Sequence, residues 1–353
     1  MSKAAELAAL IGSQTALSNR NLIINGAMQV NQRQTTFTGA NATSGYIVDR
    51  FSWSTNNTGS FDVSSSTTSP VGFSNSIGIS CTTAEASPTA GSYQNVIHRL
   101  EAQSIQQLNA SSGTVAFTIS FYVYSSKTGT YTIEARKMDS ARHIAQEFTI
   151  SSANTWERKT ISIPADATGS INNDNGSGIQ LYFWLAGGTT YTSGTLATSW
   201  GAFDNANRVS SNNVNIGDST SNTFYITGVQ LELGEQATPF EHRSYGDELA
   251  KCQRYCTVLT SPSGQFMYRD YYSNDTMVTS AELPVTMRTT PSITMTGSGG
   301  TSNTGFTYTN LAATPTFAAV NPQAISVFRG VASSARTYIY MASTGELTME
   351  AEL

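Results

Sequence analysis

The sequence predicts an all-β protein: a jelly-roll β-sandwich and a second, smaller β-sandwich domain, with a short N-terminal helix and a short linking helix. Three observations predict it. Apolar residues recur at every second position through most of residues 21–240 and again after 257, which is the period of a half-buried strand. Gly, Ser, Thr and Asn cluster between these runs, where turns need them. The i, i+3, i+4 spacing of an amphipathic helix is confined to two short stretches. Many short strands separated by turn signals pack as two facing sheets.

The elements follow in order. In residues 3–11, Ala4, Leu7 and Ile11, with Leu10 beside them, form a narrow apolar stripe. A helix this short is marginal alone in water, so residues 1–20 read as an attachment segment that needs copies of itself or a partner's groove. Residues 21–240 form the larger domain, opening with a strand at 21–30. In the next segment Ile77, Ile79 and Cys81 share one face, so Cys81 is expected in the core. Val115, Phe117, Ile119, Phe121 and Val123 alternate with polar residues, and Tyr131, Ile133 and Ala135 repeat the pattern beyond Lys127-Thr128-Gly129, predicting a hairpin. Ile161 and Ile163 precede a strand-ending Pro164. Ile179, Leu181, Phe183 and Leu185 give one face of another strand, with Gln180, Tyr182 and Trp184 on the other. Phe224 and Ile226 are out of phase with Val229, Leu231 and Leu233, which predicts a β-bulge at Thr227-Gly228. Residues 54–69, 167–178 and 205–222 read as loops.

Residues 241–256 break the alternation. Ser244 with Asp247 three residues on resembles a capping box, and Leu249, Cys252, Gln253 and Cys256 run down a short helix. Strand patterning then resumes over 257–353, with Phe266, Tyr268 and Asp270, Ile325 and Val327, Tyr338 and Tyr340, and a last run of Leu347, Met349, Ala351 and Leu353 to the final residue.

Composition narrows the function. Only 12% of residues are charged, against about 25% in an ordinary globular domain, while 39% are hydrophobic, so the chain can build cores. A net charge of −5 offers no basic footprint for nucleic acid or an anionic membrane, and no apolar run of ~18 residues predicts a span. Residues 1–12 lack a signal peptide's long apolar stretch and cleavage site, so synthesis in the cytosol is expected. Three cysteines without paired spacing imply no disulfide framework. Short polar side chains lose little rotamer freedom on association, which favours binding surfaces.

Several stretches carry a resemblance. They are NLIINGAMQV at 21–30 with Gln32-Arg33, YIVDRF at 46–51, ITGVQLELGEQATPFEHRSYGDELAKCQRYC at 226–256, LPVTMR at 283–288, and the closing Ala351-Glu352-Leu353. Together they resemble a family of virion structural proteins of tailed bacteriophages, common in phages of cyanobacteria and other marine bacteria and described as tail-fibre or tail-fibre-like. The resemblance covers most of the chain. It implies a homotrimer joined to other tail or capsid proteins through the N-terminal segment, placed in the virion, assembled in the host cytoplasm, and serving host attachment. The family's larger domain is similar to jelly-roll carbohydrate-binding modules, which implies a host-surface glycan as ligand. In those modules acidic residues near the first and last strands often hold Ca²⁺; here Met28, Gln29 and Gln230 stand there with Glu232 alone charged, so no metal or other cofactor is expected.

The candidate sugar-binding residues are Tyr182, Trp184, Tyr191, Trp200, Asp204 and Asn205, with Asn207 nearby. Sugars present apolar C–H faces ringed by hydroxyls, so an aromatic platform beside amides and carboxylates suits them. The same aromatics also suit packing under a loop or at a subunit contact. Trp53 and Trp156 read as core, and Asp49-Arg50 as a structural ion pair or turn anchor. No catalytic residue is assigned. His98, His143 and His242 lie in no nucleophile or metal motif, and Glu134, Asp166, Asp174 and Asp204 show no pairing that sequence can establish. A non-enzymatic tail-fibre-like protein is therefore expected. The alternatives are a capsid head-decoration or head-fibre protein, a glycan-degrading tailspike, and a free carbohydrate-binding module.

Overall fold

The computed structural model describes residues 19–260 throughout, then 270–272, 276–278, 280–296, 306–308, 316–321, 324–329, 339–341 and 346–353. The stripe of Ala4, Leu7, Leu10 and Ile11, and the run from Phe266 to Tyr268, lie outside the described residues. By its internal contacts the chain divides into two compact units, up to Tyr245 and Gly246–Glu352.

The first unit is the expected jelly-roll sandwich. Its strands are β1 (Phe37–Val48), β2 (Phe51–Ser66), β3 (Ser76–Ala84), β4 (Tyr93–Glu101), β5 (Phe117–Ser125), β6 (Gly129–Lys137), β7 (Arg142–Ile150), β8 (Glu157–Ile163), β9 (Ser177–Gly187), β10 (Gly201–Ala202) and β11 (Thr223–Leu233). The pairing path is β10-β7-β6-β9-β4-β2-β3-β11-β5-β8, all antiparallel, with β1 also on β2. The path folds back over itself. Phe121 of β5 meets Phe148 of β7 and Phe183 of β9 edge-on at 5.1 Å each, and Tyr131 of β6 stacks on Phe148 at 5.5 Å. Strands far apart along the path thus share one core, at about 2–3 kcal/mol for each fully buried large side chain.

Strand β2 makes the fold possible, and it corrects the expectation of a loop at 54–69. Phe51–Asn56 pair with β4, while Gly59–Ser66 pair with β3, so one strand serves both layers. Trp53, Phe61 and Val63 supply its core face. At the bend, buried Thr55 and Thr58 share a hydroxyl hydrogen bond of 2.9 Å, which satisfies the polar groups that made this stretch look like a loop. Gly59 takes φ +110°, and a Cβ there would lie 2.4 Å from the Thr83 carbonyl oxygen. Gly59→Ala should therefore cost about 2–3 kcal/mol, read as a lower denaturant midpoint; an unchanged midpoint would show that the bend relaxes freely.

Other expectations are corrected or met. Lys127-Thr128-Gly129 does not close a hairpin: β5 pairs with β11 and β8, whereas β6 pairs with β7 and β9. The turn crosses from one sheet to the other, because Phe121 and Tyr131 both need the core between them. The bulge at Thr227-Gly228 is present as a register shift against β5, with Gly228 at φ +63°, and it returns Phe224, Ile226, Val229 and Leu231 to one core. Residues 21–30 form no regular strand. They are held on β11 by Leu22 N–H to Leu231 O at 2.9 Å and Val229 N–H to Gly26 O at 2.9 Å. His98 accepts the Ile24 amide; burial, then the Arg50 and Arg99 charges, hold its imidazole well below the usual range. Asp49 accepts from the Gln32 amide and side chain at 2.7 and 2.8 Å, anchoring its turn. Trp53 and Cys81 are buried, but Trp156 is half-buried on an outer face against Tyr124 and Tyr225.

The linking helix spans Tyr245–Gln253, and all but its first residue belongs to the second unit. Cys256 lies beyond it and opens β12 (Cys256–Thr260). The remaining strands are Asp270–Tyr272, Thr276–Val278, Ser280–Glu282, Ser292–Thr296, Phe306–Tyr308, Thr316–Asn321, Ala324–Arg329, Ile339–Met341 and Glu346–Glu350. Among the described residues they pair antiparallel in four small sheets. The last strand stops at Glu350 and does not run to Leu353. Arg288 holds the segment after it by donating to the Ala351 and Glu352 carbonyls at 2.7 and 2.8 Å.

Candidate functional site

Paired residues in antiparallel strands point to the same face, so register alone assembles a site on the outer face of the β2-β4-β9-β6 sheet. Ser54 pairs with Asn95, Asn95 with Trp184, and Trp184 with Thr132. The neighbouring row is Ile97, Tyr182 and Glu134. Two irregular segments roof these rows. Helix α1 (Thr189–Thr192) is tied down by Thr190 N–H to Ala90 O, and the 205–210 segment by Val209 N–H to Tyr191 O. Ser210 N–H donates to Thr132 Oγ1 at 3.1 Å.

The result is a cleft of about 220 Å³ lined by Ser54, Tyr93, Asn95, Ile97, Tyr182, Trp184, Tyr191 and Arg208. Tyr182 and Trp184 stack at 6.1 Å, Tyr191 tilts against Trp184 at 5.4 Å, and Tyr93 meets Tyr191 edge-on at 5.8 Å. The Arg208 guanidinium lies 4.7 Å from the Trp184 ring centre and 4.9 Å from that of Tyr182, within cation–π reach.

Glu134 sets this arrangement. Fully buried, its carboxylate accepts from Arg208 Nε at 2.9 and 3.1 Å and from Trp184 Nε1 at 3.1 Å, and it pairs with His143 Nδ1 at 3.1 Å. Both the indole and the guanidinium are thus fixed from beneath. Burial lifts the Tyr191 phenol above its ordinary range against the pull of Arg208, with Tyr93 adding to the rise, so Tyr191 remains a hydroxyl donor. Asn95 is 3% exposed and its Oδ1 has no hydrogen-bond partner. A buried acceptor left open costs about 1–3 kcal/mol, and this one belongs to a residue that lines the cleft.

The six sequence candidates separate. Tyr182, Trp184 and Tyr191 come together here, although Tyr182 and Trp184 are roofed walls and not an open platform. Trp200 lies elsewhere: its indole donates to Pro164 O at 2.8 Å, packs on the Phe117 side of the core and covers Lys137 at 4.8 Å. Asp204 and Asn205 are likewise placed outside the cleft. Asp204 accepts from the Ala206 amide at 3.0 Å and caps the Asn205–Asn207 turn, and neither lines the cleft. Tyr93, Asn95, Ser54, Arg208 and the supporting Glu134 lie outside the candidate set. The β4 alternation of Tyr93, Asn95 and Ile97 was their signal, but only strand pairing brings it beside Trp184. At the ends of the sandwich, Glu232 accepts from the Gln230 side chain and from Thr238, and Glu241 from the Arg20 and Asn21 amides.

No protein-family model matches the chain, and no curated protein matches it. Among solved structures it is similar to the enzymatically active domain of tailspike protein 4 of bacteriophage CBA120, at 15% identity and TM-score 0.31, over 61% of this chain and 22% of that one. It is also similar to TmCBM61, solved with β-1,4-galactotriose, at 9% identity and TM-score 0.31, over 61% of this chain and all of that one. A third is the family 11 carbohydrate-binding module of Clostridium thermocellum, at 12% identity and TM-score 0.27, over 56% of this chain and 100% of that one.

Proposed function

We propose that the first unit binds a glycan in the cleft between β4, β9 and the 189–192 helix, and that it does so without chemical turnover. The observation that carries this is the pairing of a ring-lined wall, Tyr93, Tyr191 and Trp184, with the unpartnered Asn95 acceptor and the Ser54 hydroxyl. Rings accept the C–H face of a sugar, and the polar groups read its hydroxyls. The lining has no carboxylate, and Glu134 behind it is already engaged by Arg208, His143 and Trp184, whereas glycoside hydrolysis uses two carboxyl groups across the bond. Around this module we place a tail-fibre-like virion protein, supported by the resemblance of residues 226–256 and the other quoted stretches. It forms a homotrimer attached through its N-terminal segment, and weak single sites combine by effective concentration.

A glycan array tests the cleft. The parent protein should bind a subset of glycans, and Tyr191→Ala and Asn95→Ala should each weaken that binding about tenfold or more, since about 1.4 kcal/mol is a factor of ten. Binding that neither change affects would put the site elsewhere. Sedimentation equilibrium should return three chains per particle; a monomer would remove the multivalent scheme, and immunogold on intact phage would decide tail against head.

A further inference from the structure

Beyond the aromatic wall, the outer face of this sheet continues by one more row. Arg99 of β4 pairs with Gln180 of β9, and Gln180 with Arg136 of β6. Alternation puts this row on the same face as Ile97, Tyr182 and Glu134, about 7 Å further along the strands. Two arginines therefore flank Gln180, on strands either side of it. Their guanidinium groups are positioned, yet not neutralised. Arg99 donates to Ser52 Oγ at 2.8 Å. The Arg136 guanidinium carbon lies over the Phe203 ring, 3.7 Å from its centre, and its Nε is buried without a hydrogen-bond partner. Among the described residues neither has a carboxylate within ion-pair distance.

The nearby acids are committed elsewhere. Glu134 belongs to Arg208 and His143, Glu101 is buried and accepts from Gln103, and Asp204 caps its own turn. A chain of net charge −5 thus carries two arginines without a carboxylate in ion-pair distance, one row along the sheet from its ring-lined cleft. An arginine held by a ring keeps a rigid fork suited to a planar anion, and a site that excludes water strengthens the attraction.

Resting on the glycan reading above, we propose that the ligand is an acidic glycan, with Arg99 and Arg136 contacting a carboxylate or sulfate on the sugar unit next to the one stacked in the cleft. Gln180, whose Oε1 accepts the Tyr182 hydroxyl at 2.5 Å, links the two subsites.

The test is titration calorimetry of the full chain with alginate and polygalacturonate, each beside its carboxyl-reduced form, and with dextran sulfate beside dextran. The acidic polymers should bind at least tenfold more tightly than their neutral counterparts. Arg99→Gln and Arg136→Gln should each remove roughly ten- to hundredfold of acidic binding with melting temperature and neutral-glycan binding unchanged. Tyr191→Ala should weaken both. A preference confined to dextran sulfate, lost in the same variants, assigns the anion as sulfate; one confined to the uronates assigns carboxylate. Equal binding of charged and reduced polymers overturns the inference and leaves the glycan reading standing. Acidic binding that Tyr191→Ala leaves intact overturns it as adsorption elsewhere. Absence of binding to any of these polymers, charged or neutral, also overturns it, and the array of neutral glycans then decides the broader reading.

Discussion

Asp166→Asn should lower the stability of the first unit by about 3–5 kcal/mol, the usual cost of leaving a buried charge without its partner. Lys137 has no exposed side-chain surface, and its ammonium donates to Asp166 at 2.5 Å and to the Thr168 and Gly169 carbonyls at 2.7 Å each. Arg142 grips the same carboxylate with Nε at 2.7 Å and Nη2 at 2.9 Å. Burial alone would raise the Asp166 carboxyl, but hydrogen bonds from Arg142, Lys137 and the Thr168 amide, with the Lys137 charge, bring it down to about 2. Because the folded value lies below the ordinary one near 3.9, its stabilisation is complete above about pH 4 and disappears as pH falls toward 2. That window accounts for about 2 kcal/mol. Thermal melts of parent and variant should therefore differ by roughly 10 °C at neutral pH, and that gap should narrow by about half toward pH 2. Parallel curves across the acid range would show that the cluster is not what titrates.

Glu134→Leu should lose as much stability and, in addition, glycan binding. The change strands Arg208, 8% exposed, and takes away the acceptor that orients the Trp184 indole. The informative comparison is the double variant Glu134→Leu with Arg208→Met. Replacing a buried pair by apolar groups of similar size is often neutral in stability, but Trp184 Nε1 and His143 Nδ1 still lose their acceptor, so the double variant should regain part of the lost stability and not all of it. Binding should stay at least about a hundredfold weaker, because the wall has lost both its charge and its fixed ring geometry. Recovery of binding along with stability would mean that Arg208 and Glu134 serve the fold alone.

The mistaken sequence expectations share a cause. Residues 54–69 looked like a loop because Ser, Thr, Asn and Gly dominate them, but Thr55 and Thr58 satisfy each other in the bend of a two-sheet strand. Lys127-Thr128-Gly129 carries turn chemistry that serves a hairpin or a crossing equally, and only the core contact of Phe121 with Phe148 and Phe183 decides between them. Trp200 had the right company in sequence, while its indole is drawn to Pro164 and the covering of Lys137.

Sequence by itself determined the all-β class, the core face of β5, β9 and β11, and the bulge at Thr227-Gly228, because strand period and phase are written in adjacent residues. It also placed Tyr182 and Trp184 away from the main core and Tyr191 in the loop that follows. Tertiary structure alone decided that β4 lies beside β9, which puts Tyr93 and Asn95 against Trp184 and lines up Arg99 with Arg136. Pairing joins residues dozens of positions apart, and no local pattern encodes which strands will meet.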